Sequence, residues 1–316
     1  MPKYRHQLPQ LSDRIFLTDG GLETTLIFHD RAELPHFAAF DLLKTRDGTA
    51  LIRRYYERYA ALARQRKCGF VLESATWRAN RDWGARLGYS AEALAAANRR
   101  SIELMEEIRD VFETPASPMV LSGALGPRGD GYRPDAMMSA AEAEDYHAEQ
   151  IGTFRSTEAD MVCAFTLNYP EEAVGVARAA KAAQMPAAIS FTVETDGRLP
   201  TGQSLKDTIE RVDAESGSAP VYYMINCAHP THFEGALASG EPWVKRVRGI
   251  RANASTRSHA ELDTATDLDA GDPVDLGRRY RALRKSFGHF NVLGGCCGTD
   301  HRHVEQISLA CVSLDA

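Results

Sequence analysis

Nothing in this 316-residue sequence approaches the roughly 20 consecutive apolar residues that a membrane-spanning helix needs. The first residues, Met1 to Asp13, are polar and lack the apolar centre of a secretory signal. Basic residues are outnumbered: 37 Lys and Arg stand against 43 Asp and Glu, a formal net charge of −6. That balance gives no electrostatic case for nucleic acid or an anionic membrane as partner. Low-complexity tracts, heptad runs and clear short repeats are missing as well. Cysteine is sparse, with six in the chain and no Cys-x-x-Cys spacing. Without an export signal these cysteines are expected in a reducing cytoplasm rather than in a disulfide framework, which favours metal or reactive-thiol chemistry.

What is present suits one soluble barrel. A hydrophobic content of 44% and a charged content of 25% are those of a protein with a sizeable core. Short apolar runs recur at Ile15–Asp19, Phe70–Thr76, Met119–Leu125, Met161–Thr166, Ala187–Val193, Val221–Cys227, Arg248–Ala254 and Phe290–Gly294. Several are continuous, as expected for parallel strands buried on both faces. Between them lie helical patterns. Leu94, Ile102, Met105, Ile108 and Phe112 mark one apolar stripe, and Val304, Ile307, Ser308 and Cys311 another. Ser139 and Glu142 form a capping-box signature, and Pro170-Glu171-Glu172 suits a first helical turn. Eight strands alternating with helices predict an α/β (β/α)8 TIM barrel, one domain over 1–316 with residues 1–14 as an N-terminal extension. A doubly wound open sheet is the alternative, but no Gly-x-Gly-x-x-Gly follows an early strand.

In such a barrel the chemistry collects at the C-terminal strand ends. Asp19, Thr76, Cys227 and Asn253 are predicted to end strands one, two, six and seven, and Cys296-Cys297 to follow strand eight. Adjacent side chains on a regular strand point to opposite faces. The glycines at 294, 295 and 298 permit the backbone to leave that geometry so that both sulfurs converge. Cys227, Cys296 and Cys297 then offer three thiolates with an open fourth position, the arrangement of a catalytic zinc. Spacing alone leaves a vicinal redox pair and ordinary core cysteines as competitors. Cys68, Cys163 and Cys311 sit in apolar contexts and read as core.

The Gly-Gly-Cys-Cys-Gly-Thr segment at 294–299, the upstream Asn226-Cys227 and the opening Asp19-Gly-Gly-Leu-Glu-Thr-Thr-Leu26 resemble the homocysteine S-methyltransferase family. Ser122 to Pro127 with Asp130-Gly-Tyr, Ser190-Phe-Thr and Leu199-Pro-Thr-Gly202 carry the same resemblance, which spans about residues 15 to 310. It implies a zinc-dependent (β/α)8 barrel that moves a methyl group from a sulfonium, quaternary amine or folate donor to homocysteine. Carried over by motif, Cys227, Cys296 and Cys297 are the zinc ligands. Asp19 is the catalytic acidic residue beside the substrate thiol and amine. Gly20, Gly21, Thr76, Arg78, Thr166 and Asn253 complete the expected substrate-binding set.

The implied chemistry is activation of a substrate thiol. A free thiol with a pKa of about 8.5 is mostly protonated at neutral pH, whereas the thiolate is the nucleophile; binding at zinc deprotonates it. The favoured donor is a methylsulfonium such as S-methylmethionine. Two positions depart from the family pattern. Many members end strand four with Glu-Thr or Glu-Tyr, the glutamate contacting the amine of homocysteine, where this chain has Phe165-Thr166. The alternative acceptor is therefore a thiol without that amine, unless Glu194 or Glu23 reaches in. Betaine-using relatives place an aromatic residue where this chain has Arg78, which suits a carboxylate or phosphate rather than a quaternary amine. Trp77, Trp83, Tyr89 and Tyr132 are candidates for a donor pocket, and His229 for the open metal position. Glu73 is expected inside strand two, and Glu261–Asp272 as a solvated acidic loop. A non-enzymatic zinc- or thiol-sensing barrel is a further reading. The expected partners are a small-molecule thiol and a methyl donor; a homo-oligomer is left open.

Overall fold

A computed structural model of the chain describes residues 1–135 and 137–312. Among these, eight parallel strands close into a barrel in sequence order. They are β1 (Phe16–Leu17), β2 (Gly69–Glu73), β3 (Met119–Leu125), β4 (Met161–Leu167), β5 (Ala187–Phe191), β6 (Tyr222–Asn226), β7 (Val247–Ala252) and β8 (Val292–Gly295). Phe16 pairs with Gly69 on one side and Val292 on the other, so β1 joins β2 to β8 and the open-sheet alternative is excluded. The helices are α1 (Leu22–Phe28), α2 (Arg46–Arg66), α3 (Arg81–Arg86), α4 (Ala91–Phe112), α5 (Ala140–Arg155), α6 (Pro170–Ala182), α7 (Leu205–Ser216), α8 (Pro230–Leu237), α9 (His259–Asp263), α10 (Pro273–Ser286) and α11 (His301–Cys311). None of the described helices is long and apolar enough to cross a membrane.

Sequence dictates most of these boundaries locally. The Ser139 hydroxyl and the Glu142 carboxylate form the expected capping box of α5, and Pro170 with Glu171 and Glu172 opens α6. The stripe Leu94, Ile102, Met105 and Ile108 is buried along α4. Beyond residue 260 the expected loop is instead partly helical, because Ser258 and Glu261 form a second capping box that nucleates α9. Four strands also stop two or three residues early: β1, β2, β5 and β7 end at Leu17, Glu73, Phe191 and Ala252 rather than at Asp19, Thr76, Val193 and Ala254. Asp19 lies two residues past β1, and Thr76 three past β2, where a turn donates the Thr76 amide back to the Ser74 carbonyl.

Side chains alternate between two cores, as strand geometry requires. Phe70, Leu72, Val162, Ala164, Tyr223 and Ile225 face the helices. Val71, Val120, Met161, Cys163, Tyr222, Met224 and Val292 fill the barrel interior, and Leu8 from the N-terminal segment packs against the same cluster. Asn291 holds that segment by donating to the carbonyls of Gln10, Ser12 and Arg14. Further along the same strand faces the interior turns polar: Glu73, Ser190, Asn226 and Arg251 are buried there. That change in polarity marks the functional end.

Candidate functional site

Cys227 directly follows β6, and Cys296 and Cys297 directly follow β8. Their three sulfurs lie within 4.8 Å of one another, the one such cluster among the described residues. The backbone leaves strand geometry at both ends to achieve this. Cys227 has φ +53° and Gly298 φ +78°, both left-handed. The Cys227 and Cys296 sulfurs stand in bonding contact with their Cα atoms 5.4 Å apart, while Cys297 is free. Tetrahedral zinc with Zn–S bonds of about 2.3 Å separates its sulfurs by about 3.8 Å. Three sulfurs gathered within 4.8 Å fit such an ion once the first two are reduced. Burial pushes the Cys297 thiol up to about 11; a cation among the sulfurs inverts that preference.

The surrounding polar residues hold this backbone in place. Asn226 accepts from the Thr166 amide at 2.9 Å and the Ser190 hydroxyl at 2.6 Å. Its Nδ2 donates to Thr166 Oγ1 at 2.9 Å and reaches Cys296 Sγ at 3.9 Å. Thr166 itself is left-handed at φ +61°, where the β4–β5 register shifts. A β-branched residue is strained in that region, and Asn226 supplies the bonds that keep it there. Asn253 Nδ2 donates to the Cys227 carbonyl at 3.0 Å. The same carbonyl meets His259 Nε2 at 2.6 Å, and His259 stacks on Tyr132, whose hydroxyl lies 3.6 Å from Cys297 Sγ.

Asp19 is buried beneath this layer. Its Oδ1 is 2.9 Å from Arg251 Nη2 and its Oδ2 accepts from the Tyr55 hydroxyl at 2.9 Å. Burial raises the Asp19 pKa, opposed by Arg251 and Tyr55. Glu73 is pushed up to about 7 by burial, with Arg251 pulling the other way. Arg251 also donates from Nε to the Gly295 carbonyl and from Nη2 to the Gly20 carbonyl, each at 3.0 Å, and lies 5.0 Å over the Phe165 ring. Gly21 packs against the cysteine loop so closely that a Cβ there meets the Cys296 carbonyl oxygen at 2.5 Å. On Gly20 a Cβ meets the Thr299 carbonyl oxygen at 2.9 Å.

The remaining residues of the expected set divide. Arg78 enters the mouth between Trp77 and Trp83, at 4.0 and 3.9 Å from their ring centroids. Thr76 points its hydroxyl to the Ala124 carbonyl at 2.7 Å and so serves the strand end. Tyr89 lies apart, bonded to Asp41 and packed on Phe40. His229 caps α8 through Thr231 rather than joining the sulfurs, and burial lowers it to about 4. Glu194 pairs with His259 at 3.3 Å. Sequence reasoning missed Arg251 and His259. The signal for the first was an arginine inside a buried run; the second lies just before the acidic segment expected as a loop, in no apolar run or helical stripe.

The family model for homocysteine S-methyltransferase matches residues 16–311. The chain is 23% identical to homocysteine S-methyltransferase 4 of Zea mays, covering 93% of this chain and 88% of that protein. It is 22% identical to homocysteine S-methyltransferase 1 of Arabidopsis thaliana, covering 92% of each. The homocysteine methyltransferase MmuM of Escherichia coli, in a metallated form, superposes with a TM-score of 0.71 at 20% identity over 96% of this chain and 98% of that one. Its oxidized form superposes equally well, at 0.71 over 97% and 99%. A family model that spans nearly the whole chain, on a closed eight-stranded barrel with three cysteines gathered at one end, places the protein: it belongs to the homocysteine S-methyltransferase family and is a methyltransferase.

Proposed function

We propose that this protein is a zinc-dependent thiol S-methyltransferase, which moves a methyl group from a methylsulfonium donor such as S-methylmethionine to the thiolate of homocysteine. The observation that carries the reading is the convergence of the Cys227, Cys296 and Cys297 sulfurs within 4.8 Å at the polar end of the barrel. These three would hold the zinc. When bound, zinc supplies a Lewis acid that keeps the acceptor thiol deprotonated at neutral pH. A reducing cytoplasm is the compartment in which all three thiols stay available. The names of the plant relatives support homocysteine as acceptor, and the metallated form of MmuM supports a metal.

The chain's own residues supply position. Asn226 fixes the backbone at Thr166, Asn253 fixes that of Cys227, and Arg251 joins the turn at Gly20 to the strand end at Gly295. On this reading Asp19, paired with Arg251 at the same end of the barrel, is the acidic residue that serves the acceptor. Three thiolates outweigh the charge of a dication, so the centre attracts a cationic donor and sulfur, methyl and leaving group need only be held in line. The test is product analysis by mass spectrometry with reduced, zinc-supplied protein and a panel of thiols and methyl donors. S-methylated homocysteine is expected; consumption of no thiol with any donor class rejects the reading.

A second reading has one observation in its favour. Asp19 is already engaged by Arg251 and Tyr55, and Phe165 sits beside the same guanidinium. An acceptor ammonium there meets a cation instead of a free carboxylate, which favours a thiol without the amine. Competition between homocysteine and its amine-free analogue for methylation decides between the two.

A further inference from the structure

Arg78 is 6% exposed, yet most of its hydrogen-bonding capacity is unused. Its two faces are covered by Trp77 and Trp83, and Arg86 lies 4.3 Å from the same Trp83 ring. Nη1 donates to the Gly129 carbonyl at 2.9 Å. Nε has no partner. Nη2 has only Asp130 Oδ2 at 3.8 Å, too far for a hydrogen bond, and Asp130 is 41% exposed. The other oxygen of Asp130 is taken by the amides of Tyr132 and Arg133. The unfilled Nε–Nη2 edge is therefore a pair of parallel donors matching the two oxygens of a carboxylate. Burying a guanidinium with that edge empty is costly unless a ligand completes it.

The edge adjoins the sulfur centre by two routes. Asp130 stands two residues from Tyr132, whose hydroxyl is 3.6 Å from Cys297 Sγ. Trp77 Cζ2 and Thr166 Cγ2 lie 3.3 and 2.8 Å from the position a Cβ on Gly131 would take. Thr166 is in turn bonded to Asn226, which reaches Cys296. The other buried guanidinium of the mouth, Arg251, is already filled by Asp19, Gly20 and Gly295. Of these two buried guanidiniums, Arg78 is the one whose donor edge is left unfilled.

We propose that Arg78 is the specificity residue for a carboxylate carried by the methyl donor or by the thiol acceptor, which takes the Nε–Nη2 edge in place of Asp130. The identity of the ligand rests on the methyltransferase reading; the binding site does not. Two of the chain's three tryptophans flank Arg78, so intrinsic fluorescence reports occupancy without turnover. The protein is titrated with 3-(methylthio)propionate and with its carboxamide. Wild type binds the acid at least about tenfold more tightly than the amide. Arg78→Met loses that preference, Arg78→Lys keeps the charge but loses the fork and most of the preference, and Asp130→Asn tightens binding of the acid. An acid-to-amide ratio unchanged across these proteins overturns the proposal, because a merely structural arginine leaves it unmoved. A kinetic arm then names the source. Sulfonium donors with and without an acid group are compared at saturating thiol, and 4-mercaptobutyrate and its amide at saturating donor. A rise of about tenfold in KM on Arg78→Met, confined to the acid-bearing member of one pair, identifies which substrate carries the carboxylate; an equal rise for acid and amide in both pairs overturns the assignment. Arg78-dependent binding of the acid by a protein that turns over no substrate upholds the site and rejects the methyltransferase reading alone.

Discussion

Arg251 and Asp19 form a buried ion pair, Nη2 to Oδ1 at 2.9 Å, between β7 and the turn that follows β1. The same guanidinium binds the Gly20 and Gly295 carbonyls, so one side chain ties the two backbone segments on which the sulfur centre rests. Removing one partner of a buried pair strands the other, at about 3–5 kcal/mol. Arg251→Met is expected to lose about that much in urea denaturation and to weaken zinc retention with it. A loss below about 1 kcal/mol contradicts the role assigned to the pair.

Phe165 lies 5.0 Å from the same guanidinium. Phe165→Glu gives Arg251 a second carboxylate and leaves an acid able to meet an acceptor amine. Relative kcat/KM for homocysteine over its amine-free analogue is expected to rise by about tenfold, the worth of a charge-assisted hydrogen bond. An unchanged ratio places the amine elsewhere.

Glu73 carries a pH dependence of definite sign. Burial lifts its pKa from 4.5 to about 7 in the folded chain. A carboxyl with a raised folded pKa contributes stability that is full below the unfolded value and lost as pH rises through the folded one. Wild type is therefore expected to lose stability relative to Glu73→Gln between about pH 4.5 and pH 7. Denaturation midpoints of the two proteins at pH 5, 6, 7 and 8 measure the divergence; parallel curves contradict it.

Asn226 supplies bonds to the Thr166 amide, the Thr166 hydroxyl and Ser190. Asn226→Ala leaves those groups buried and unpaired and frees a threonine held at φ +61°. A loss of about 2–4 kcal/mol in thermal or urea unfolding is expected.

Much of this was legible in the residues. Met119–Leu125 was readable as a strand because both its faces are buried, and the structure gives β3 those same limits. The meeting of distant cysteines followed from glycine flanks at predicted strand ends. Asp19 and Thr76 lie beyond their strands because apolar runs continue through turns that stay buried, which hydrophobicity does not distinguish from strand. Arg251 was hidden in its run, since a charge in a strand gains its meaning only from the Asp19 that meets it from β1, one strand beyond β8. His259 reaches Cys227 through α9, whose five residues are too few to show a periodic stripe.

The central claim is that Cys227, Cys296 and Cys297 bind one zinc ion and leave a position for a thiol. Its most direct test is zinc stoichiometry with X-ray absorption at the zinc edge, on reduced protein supplied with zinc and then freed of excess. The account predicts one zinc per chain with three protein sulfurs in its shell, a fourth sulfur on adding homocysteine, and loss of the metal in Cys227→Ser, Cys296→Ser and Cys297→Ser. Folded, fully reduced protein that retains no zinc, or retains it unchanged when the three cysteines are replaced, contradicts it.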